Sequence, residues 1–475
     1  MTAAAWTPVD WLVVIHHELL LFAGLFFLLG TLDELAIDIL YALGRVSGRI
    51  RTPRIARERV EGQALGGRAA VIVPAWQEHA VIGATLRHML RAWPQSDLRI
   101  YIGCYANDPA TIAAASRAAR GQGRVRIVVH STPGPTTKAD CMNNLYRAIE
   151  EDELREGIAY SMVVIHDAED MVDPAALPLF DAGLASAELM QIPVMPVPQG
   201  ASRWVAGHYM DEFAESHGKA MVVRDWLGTG FPSAGVGCAV ARDRLAMLDA
   251  QNGGTGPFDA GSLTEDYELG LRIAQDGART AFLRVRGEEG HLVATRAFFP
   301  DRLETAVRQK SRWVCGIALQ GWDRLGWTGS PLDGWMRLRD RRGPLAALVL
   351  FVAYLLLLLT GALMIAESLG LARYPVLTPV TEWLLLANAA SLLWRAAFRA
   401  AFTAMEHGWA EGARAILRIP VGNIIAIMAA RRAVVQYLAS LRGSMVRWDK
   451  TEHYGHPSIE QTSIGQPPAR QQGAA

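Results

Sequence analysis

Three runs of the chain are long and apolar enough to cross the roughly 30 Å hydrocarbon core of a bilayer as helices. The clearest is Leu345–Ala366, which has no charged residue in 22 positions, and Trp11–Gly30 and Thr378–Trp394 are nearly as apolar. A fourth run, Ile416–Ala430, is shorter and contains Pro420, so its pattern favours an interfacial or re-entrant helix. The pattern therefore predicts three transmembrane helices and one helix that does not cross.

Arginines are concentrated on one side of these runs. Six follow the first run and four precede the second: Arg45, Arg49, Arg51, Arg54, Arg57 and Arg59, then Arg337, Arg339, Arg341 and Arg342. The connection between the second and third runs has only Arg373. By the positive-inside rule, residues 45–344 lie in the cytoplasm, against the inner face of a membrane, and the N-terminus lies outside.

This sidedness divides the chain into five parts. We expect an N-terminal transmembrane helix at 1–44, a cytoplasmic domain at 45–344, two transmembrane helices at 345–405, interfacial or re-entrant helices at 406–445 and a cytoplasmic tail at 446–475. The last part of the tail, Gln461–Ala475, is rich in Gln, Pro and Gly and is expected to be disordered.

The first half of the cytoplasmic domain alternates between strand and helix patterns. Strands are predicted at Ala69–Pro74, Leu98–Tyr105, Val125–His130 and Ser161–His166, with helices up to Arg91, at Thr111–Arg120 and at Lys138–Glu153 between them. Alternation at this spacing predicts an α/β domain with a parallel sheet covered on both faces. Ligands of such sheets bind beyond the carboxyl ends of the strands, so the residues that follow each strand are the candidates for chemistry.

Composition narrows the class of protein. The chain has 475 residues, 51% of them hydrophobic and 20% charged, with 47 basic and 47 acidic side chains. These values exclude a disordered chain, a coiled coil and a disulfide scaffold, and the zero net charge argues against a nucleic-acid partner. The four cysteines are far apart, which favours buried free thiols over a zinc site. Neither a G-x-G-x-x-G nor a P-loop motif occurs, so hydride transfer and P-loop chemistry are poor candidates.

Three carboxylates follow the fourth predicted strand, at Asp167, Glu169 and Asp170. Oxygen ligands of this kind suit Mg²⁺ or Mn²⁺, which use one or two carboxylates and complete their shell with substrate phosphates. An acidic loop that caps the next helix is an equally good interpretation of this motif alone.

Two more polar motifs come later in the domain. One motif is Thr264-Glu265-Asp266, in which Asp266 is a candidate general base. Taken alone, however, this motif fits better the N-terminus of a helix, in which Ser262 is the N-cap and Glu265 completes a capping box. Gln309, Arg312 and Trp313 share one helix face, where a guanidinium can hold a diphosphate and an indole can stack on a sugar. The alternative is a basic amphipathic helix on the membrane surface.

A glycine-rich segment, Gly228–Gly237, lies between these motifs and is interpreted either as a turn that lines the acceptor side of a site or as a plain loop. Lysine is rare, since only Lys138, Lys219, Lys310 and Lys450 occur among the basic residues.

The order of the motifs is more specific than any one of them. Pro74-Ala75-Trp76-Gln77-Glu78, Lys138-Ala139-Asp140-x-x-Asn143, Asp167-Ala168-Glu169, Thr264-Glu265-Asp266 and Gln309-x-x-Arg312-Trp313 follow one another over about residues 68–320. Their order resembles that of family 2 glycosyltransferases, in particular the membrane-bound polysaccharide synthases related to cellulose and hyaluronan synthases. The tail segment Arg447–His453 and the acidic run Asp167–Asp170 resemble the bacteriophage adsorption protein B subgroup.

The resemblance implies a GT-A fold, an α/β domain with a Rossmann-like, mostly parallel sheet, and a role for each motif. Pro74 and Glu78 would face the nucleoside of a UDP-sugar donor, and Lys138 and Asn143 would also bind the donor. Asp167 and Glu169 would hold Mg²⁺ or Mn²⁺, with Asp170 as a neighbouring candidate because the family usually has Asp where this chain has Glu169. Asp266 would be the catalytic base beside Glu265, and Gln309, Arg312 and Trp313 would bind the pyrophosphate and the acceptor.

The implied activity is inverting sugar transfer from a UDP-sugar to a growing exopolysaccharide at a bacterial inner membrane, and coupling of this synthesis to secretion is a further expectation. The alternatives are transfer of one sugar to a polyprenyl phosphate and a non-catalytic membrane scaffold or phage-adsorption component. The candidate partners are the donor, a polysaccharide or lipid-linked acceptor, membrane lipids, an outer-membrane export partner and a cyclic di-GMP-responsive regulator in a separate chain. No nucleic acid is expected among them.

Overall fold

The computed structural model describes residues 7–199, 202–327, 329–371, 377–442 and 455–457. Its helices are α1 (Pro8–Val46), α2 (Arg57–Val60), α3 (Ile82–Ala92), α4 (Pro109–Ala119), α5 (Lys138–Glu156), α6 (Ala176–Gly183), α7 (Val205–Glu215), α8 (Met221–Trp226), α9 (Arg242–Gln251), α10 (Glu265–Gln275), α11 (Leu303–Trp313), α12 (Gly321–Leu325), α13 (Pro331–Arg341), α14 (Gly343–Ser368), α15 (Pro379–His407) and α16 (Trp409–Ser440). Ser216–Ala220 and Val314–Gln320 are π-helical.

Its strands are β1 (Arg54–Ile55), β2 (Arg68–Pro74), β3 (Leu98–Tyr105), β4 (Val125–His130), β5 (Tyr160–Ile165), β6 (Leu189–Gln191), β7 (Val194–Pro196), β8 (Cys238–Ala241), β9 (Thr280–Phe282), β10 (Arg286–Gly287) and β11 (Thr295–Ala297). Seven of them form the main sheet, in the order β4-β3-β2-β5-β8-β6-β9. All neighbours in this sheet run parallel except β8, which is antiparallel to both β5 and β6. The predicted α/β class with a mostly parallel sheet is confirmed, and β6, β8 and β9 are the strands of this sheet that the alternation did not predict.

Both faces of the main sheet are covered by helices, as its sequence pattern requires. Successive residues of a strand point to opposite faces, so Val71 and Val73 of β2 pack with α3, α4 and α6, whereas Ala70 and Ile72 pack with α5, α9 and α10. A strand buried on both faces reads as a continuous apolar run, which is the pattern of Arg68–Pro74 after its first residue. Because β2 and β5 are parallel neighbours, the residues that follow their carboxyl ends lie at the same edge of the sheet.

Three helices within the described ranges are long and apolar enough to cross a membrane, namely α1, α14 and α16. Helices α14 and α1 contain the predicted runs Leu345–Ala366 and Trp11–Gly30. The third predicted run lies in α15, which continues through arginines to His407, and Ile416–Ala430 lies within α16, a continuous helix of 32 residues that includes Pro420. Which of these four helices cross, and on which side the domain lies, stays a prediction.

Acidic residues in the second half of α1 join the apolar helices to the α/β domain. At about 1.5 Å per residue, the 39 residues of α1 extend about 58 Å, well beyond the hydrocarbon core. Arg339 and Arg342 pair with Asp33 and Glu34 of this helix. The buried Lys219 lies 2.9 Å from Glu215 and also pairs with Asp38, so the helix is held to the domain by charge pairs as well as by apolar contacts. The predicted domain boundary at residue 44 therefore falls near the end of one continuous helix.

Candidate active site

The first residue of α5, Lys138, is the centre of the candidate site. Its ammonium Nζ lies 2.6 Å from Asp167 Oδ1 and 3.8 Å from Glu265 Oε1. A cation in the first turn of a helix opposes the helix dipole, so this position needs another source of stabilisation. Burial disfavours the charged amine, but the carboxylates of Asp167, Glu265 and Asp266 outweigh it and raise the pKa of Lys138. Three of the predicted motifs thus meet at one ammonium group.

The predicted acidic pair begins α10. Burial, and then the neighbouring Asp266 carboxylate, raise the pKa of Glu265 from 4.5 to about 7. Burial also raises the pKa of Asp266, while Lys138 and Arg312 act in the opposite direction on both groups. Two adjacent buried carboxyl groups beside two cations can hold and release a proton near neutral pH.

The capping interpretation of this motif is wrong. Helix α10 begins at Glu265, so its N-cap is Thr264, which makes no side-chain cap hydrogen bond. The Ser262 hydroxyl instead donates to Glu268 Oε1 at 2.6 Å. The acidic pair therefore is not explained by a capping box, although a negative charge in the first turn still suits the helix dipole.

The glycine-rich loop 228–237 closes over Asp266. Gly235 has φ +73°, and a Cβ atom at this residue would lie 2.3 Å from Asp266 Oδ2. Only a residue without a side chain can therefore occupy position 235 while Asp266 keeps its place. The loop lines the site beside the predicted base, which is closer to the first interpretation of this segment than to a plain loop.

The three carboxylates after β5 do not all point the same way. Asp167 and Glu169 are partly exposed, whereas Asp170 is 1% exposed. The Asp170 carboxylate lies 2.8 Å from His166 Nδ1 and accepts the Asp167 N–H at 3.0 Å, so it holds the loop from inside. This contact departs from the prediction of Asp170 as a metal ligand, because the carboxylate is used within the protein.

The residues that remain fit a divalent ion. Within the described residues, no group of three or more His, Cys, Asp or Glu side chains is arranged to hold a metal. Mg²⁺ and Mn²⁺ sites need only one or two carboxylates when phosphate oxygens complete the shell, and Asp167 and Glu169 provide these oxygens at a strand end. The assignment of Asp167 and Glu169 to a metal stays a prediction.

A residue from the end of the chain also reaches this loop. His456 is 1% exposed, its Nε2 lies 3.2 Å from the Asp170 carbonyl oxygen, and its ring lies 6.1 Å from that of His88. Burial lowers the pKa of His456 to about 4, so the ring is neutral. His166 and His456 were not among the predicted site residues, because a local sequence pattern does not show which distant segments meet. The resembling tail motif Arg447–His453 lies outside the described residues, immediately before this contact.

The motif Gln309-x-x-Arg312-Trp313 lies at the end of α11. Arg312 is partly buried and close enough to Glu265 and Asp266 to lower their pKa values. The Gln309 Oε1 atom is buried and has no hydrogen-bond partner among the described residues, which leaves an acceptor for a substrate hydroxyl. The Trp313 ring lies 6.1 Å from Tyr209 and 6.5 Å from Phe213, at the edge of an aromatic cluster.

The remaining candidates lie at the edge of the sheet or behind it. Pro74 ends β2, and the buried Glu78 is fixed by its N–H, which donates to Thr111 Oγ1 at 2.9 Å. Asn143 is buried, and its side-chain amide bonds the Phe258 carbonyl oxygen at 2.7 Å and the Phe258 N–H at 3.0 Å. Asn143 therefore fastens α5 to the loop before α10, and its donor-binding role, like those of Pro74 and Glu78, stays a prediction. All four cysteines are free and buried, as expected.

Comparisons with known proteins show the family to which the chain belongs. Residues 67–316 match the profile of the family described as Glycosyltransferase like family 2. The chain is 34% identical over 480 residues to bacteriophage adsorption protein B of Escherichia coli strain K12 and, equally, to bacteriophage N4 adsorption protein B of Escherichia coli O157:H7. Each match covers 94% of this chain and 63% of the relative, so the chain spans less than two thirds of their length.

Among solved structures, a mannosyltransferase from Pyrobaculum calidifontis in complex with GDP-Man and Mn²⁺ is 16% identical, with a TM-score of 0.48 over 93% of this chain and 99% of that chain. The family match, together with the mostly parallel sheet, confirms the GT-A fold class expected from the motifs.

The raised pKa of Glu265 should make the stability of the protein depend on pH. Because the pKa of Glu265 is about 7 in the folded chain and about 4.5 when exposed, the stabilisation is complete below about pH 4.5 and is lost as pH rises through about 7. We expect the thermal midpoint of the ligand-free protein to fall between about pH 5 and pH 7.5, and to fall less in Glu265→Gln. The exposed Glu304→Gln is the matched control. Equal pH slopes in Glu265→Gln and wild type would contradict this assignment.

Proposed function

The chain belongs to glycosyltransferase family 2, and from this premise we propose that it is an inner-membrane, metal-dependent inverting enzyme that transfers a sugar from a UDP-sugar to a growing exopolysaccharide. One observation carries the proposal. Lys138 joins Asp167, a candidate donor ligand, to Glu265 beside Asp266, the candidate base, and Arg312 lies close to the same pair. Donor binding and proton transfer would then take place within one charged cluster.

The donor would bind at the carboxyl edge of the sheet. Pro74 and Glu78 lie at the end of β2, where a nucleoside would rest, and Lys138 and Arg312 supply positive charge for a diphosphate. Asp167 and Glu169 would hold Mg²⁺ or Mn²⁺, and the bound ion would neutralise charge on the diphosphate oxygens. Asn143, which fastens α5, would support Lys138 from behind rather than face the nucleotide.

The transfer would be a single displacement. The acceptor hydroxyl oxygen attacks the anomeric carbon from the side opposite the diphosphate, a new carbon–oxygen bond forms, and the bond to the UDP oxygen breaks. The hydroxyl proton passes to the Asp266 carboxylate, whose raised pKa makes it a stronger base than an exposed Asp. Lys138 and Arg312 stabilise the negative charge of the departing UDP. The acceptor would rest against Trp313, with a hydroxyl on Gln309 Oε1.

The C-terminal end of α11 favours a polymer acceptor over a polyprenyl phosphate. An indole beside Tyr209, Phe213 and Phe299 offers an extended aromatic surface, on which a pyranose ring can stack. The names of the two Escherichia coli relatives favour a phage-adsorption component as the second candidate. A scaffold alone does not require buried carboxyl groups with raised pKa values. We therefore propose that a role in phage adsorption accompanies sugar transfer and does not replace it.

Donor binding should depend on a divalent ion and on Asp167. Calorimetric titration of UDP into the detergent-purified protein is expected to show binding with Mn²⁺ and at least about tenfold weaker binding without it or in Asp167→Asn. The exposed Asp97→Asn is the matched control and should bind like wild type. If UDP does not bind under either condition, the transferase proposal fails and the adsorption component moves forward.

Loss of the base should separate binding from transfer. Asp266→Asn removes the proton acceptor but keeps the side chain's size, so UDP release from a panel of UDP-hexoses should fall at least about 100-fold while UDP affinity changes less than about twofold. Asp243→Asn, on the exposed face of α9, controls for the substitution. Near-normal turnover in Asp266→Asn would remove Asp266 from the mechanism.

A further inference from the structure

A second polar cavity lies behind the catalytic helix. It has a volume of about 100 Å³ and opens between α10 and α13. Its walls include Arg224, Gly230, Gln275, Asp333 and Arg337, so charged groups face it from two helices, α8 and α13. Apart from Gly230, which belongs to the glycine-rich loop 228–237, these residues lie outside the candidate active site, which is at the opposite end of α10.

Buried positive charge surrounds this cavity. Arg224 is 4% exposed, Arg337 is 3% exposed, and Arg341, one turn further along the same face of α13, is 5% exposed. Two carboxylates accompany these three guanidinium groups. Asp340 lies 2.9 Å from Arg224, and Asp333 partly offsets the charge of Arg337. Arg224 and Arg337 line the cavity itself, whereas Arg341 lies beside it.

Arg341, beside the cavity, is a buried cation. Its Nη2 donates to the Gly321 carbonyl oxygen at 2.8 Å, and the guanidinium lies 4.6 Å from the Trp327 ring and 5.7 Å from the Trp322 ring. No carboxylate in the described part of the chain pairs with it, and its Nε and Nη1 atoms have no hydrogen-bond partner there. Burial and the neighbouring Arg341 also lower the pKa of Arg337. A buried cation without a counter-charge is costly, so this region is stabilised by an added anion.

We propose that the cavity is a binding site for a phosphate-type oxyanion, separate from the donor site. Guanidinium groups from Arg224 and Arg337 face the space, and their planar donors match the oxygens of a phosphate. The volume suits one phosphate group and is below the several hundred Å³ that a whole nucleotide or drug-sized ligand needs. The ligand is therefore inorganic phosphate or the phosphate of a larger molecule that extends out of the cavity.

The same cavity is connected to the catalytic base by two routes. Gly230, at the cavity, begins the loop that continues to Gly235 against Asp266. Tyr267, the residue after Asp266, donates from its hydroxyl to Asp340 Oδ2 at 3.1 Å, and Asp340 holds Arg224. An anion on Arg224 would therefore brace both the loop and the first turn of α10.

Two sources could supply the phosphate group. Helix α13 ends at Arg341 and α14, a candidate membrane span, begins at Gly343, so a phospholipid headgroup could reach the cavity as well as a free phosphate. Both share the same chemistry, and the experiment separates them.

The test compares Arg337→Gln with the exposed Arg117→Gln in detergent. With UDP and Mn²⁺ present to occupy the donor site, inorganic phosphate is titrated by calorimetry against chloride at equal ionic strength. Wild type and Arg117→Gln should bind phosphate saturably, and Arg337→Gln at least about tenfold more weakly, because it lacks one of the charged hydrogen-bond donors that would hold the anion. In a second arm, native mass spectrometry measures retained phosphatidylglycerol, which Arg337→Gln should lose if a headgroup fills the site.

Loss in either arm supports the oxyanion site and identifies its source. If Arg337→Gln does not fold, Gln275→Glu adds a negative charge at the exposed rim and should weaken binding in the same arm. If wild type, Arg337→Gln and Gln275→Glu bind phosphate and retain lipid alike, the cavity is a water-filled space and the proposal is wrong. This outcome does not depend on UDP binding, because the variants are compared by the phosphate and lipid that they bind, and Arg337 and Gln275 are not candidate donor ligands.

Discussion

The ion cluster at Lys138 is the constraint on which the site depends. One ammonium group lies beside Asp167, from the loop after β5, and Glu265, from the first turn of α10. These segments are far apart in the sequence, and their carboxylates would repel one another without a cation between them. The parallel strands bring the loop to the sheet edge, Asn143 fastens α5 to the segment before α10, and the glycine loop closes over Asp266. Each element of the domain contributes to keeping these charges together.

Lysines also pair with carboxylates at two other places. Lys219 pairs with Glu215 and with Asp38 of α1, and Lys310 lies 2.5 Å from Glu212. Lysine is rare in this arginine-rich chain, and the three that the structure describes are all paired with acidic side chains. A compact ammonium can approach several carboxylates in a small space, whereas a planar guanidinium needs a wider one. At Lys219 the result is structural, because it fixes the apolar helices to the α/β domain.

The hydrophobic pattern of the sequence predicted those features that depend on residues close together in the chain. Strands Leu98–Tyr105 and Val125–His130 have the bounds expected from their apolar runs, and the order of motifs gave the fold class and the residues that meet at Lys138. Contacts between distant segments could not be predicted in this way. The inward turn of Asp170 toward His166, the return of His456 to the same loop, and the Gly235 contact with Asp266 depend on tertiary packing. The acidic residues of α1 likewise did not predict their arginine partners at α13, because these ion pairs form only when the two helices pack together.

The direct test of the central role of Lys138 is the pH profile of sugar transfer in Lys138→Met and Lys138→Arg. Removing the positive charge should raise the pKa of Asp266, so the acidic limb of kcat/KM in Lys138→Met should move upward by about one pH unit or more, with weaker UDP binding. Lys138→Arg retains the charge and should keep the limb near its wild-type position. An unchanged limb and unchanged UDP affinity in Lys138→Met would show that the ammonium does not join donor and base, and would contradict the account.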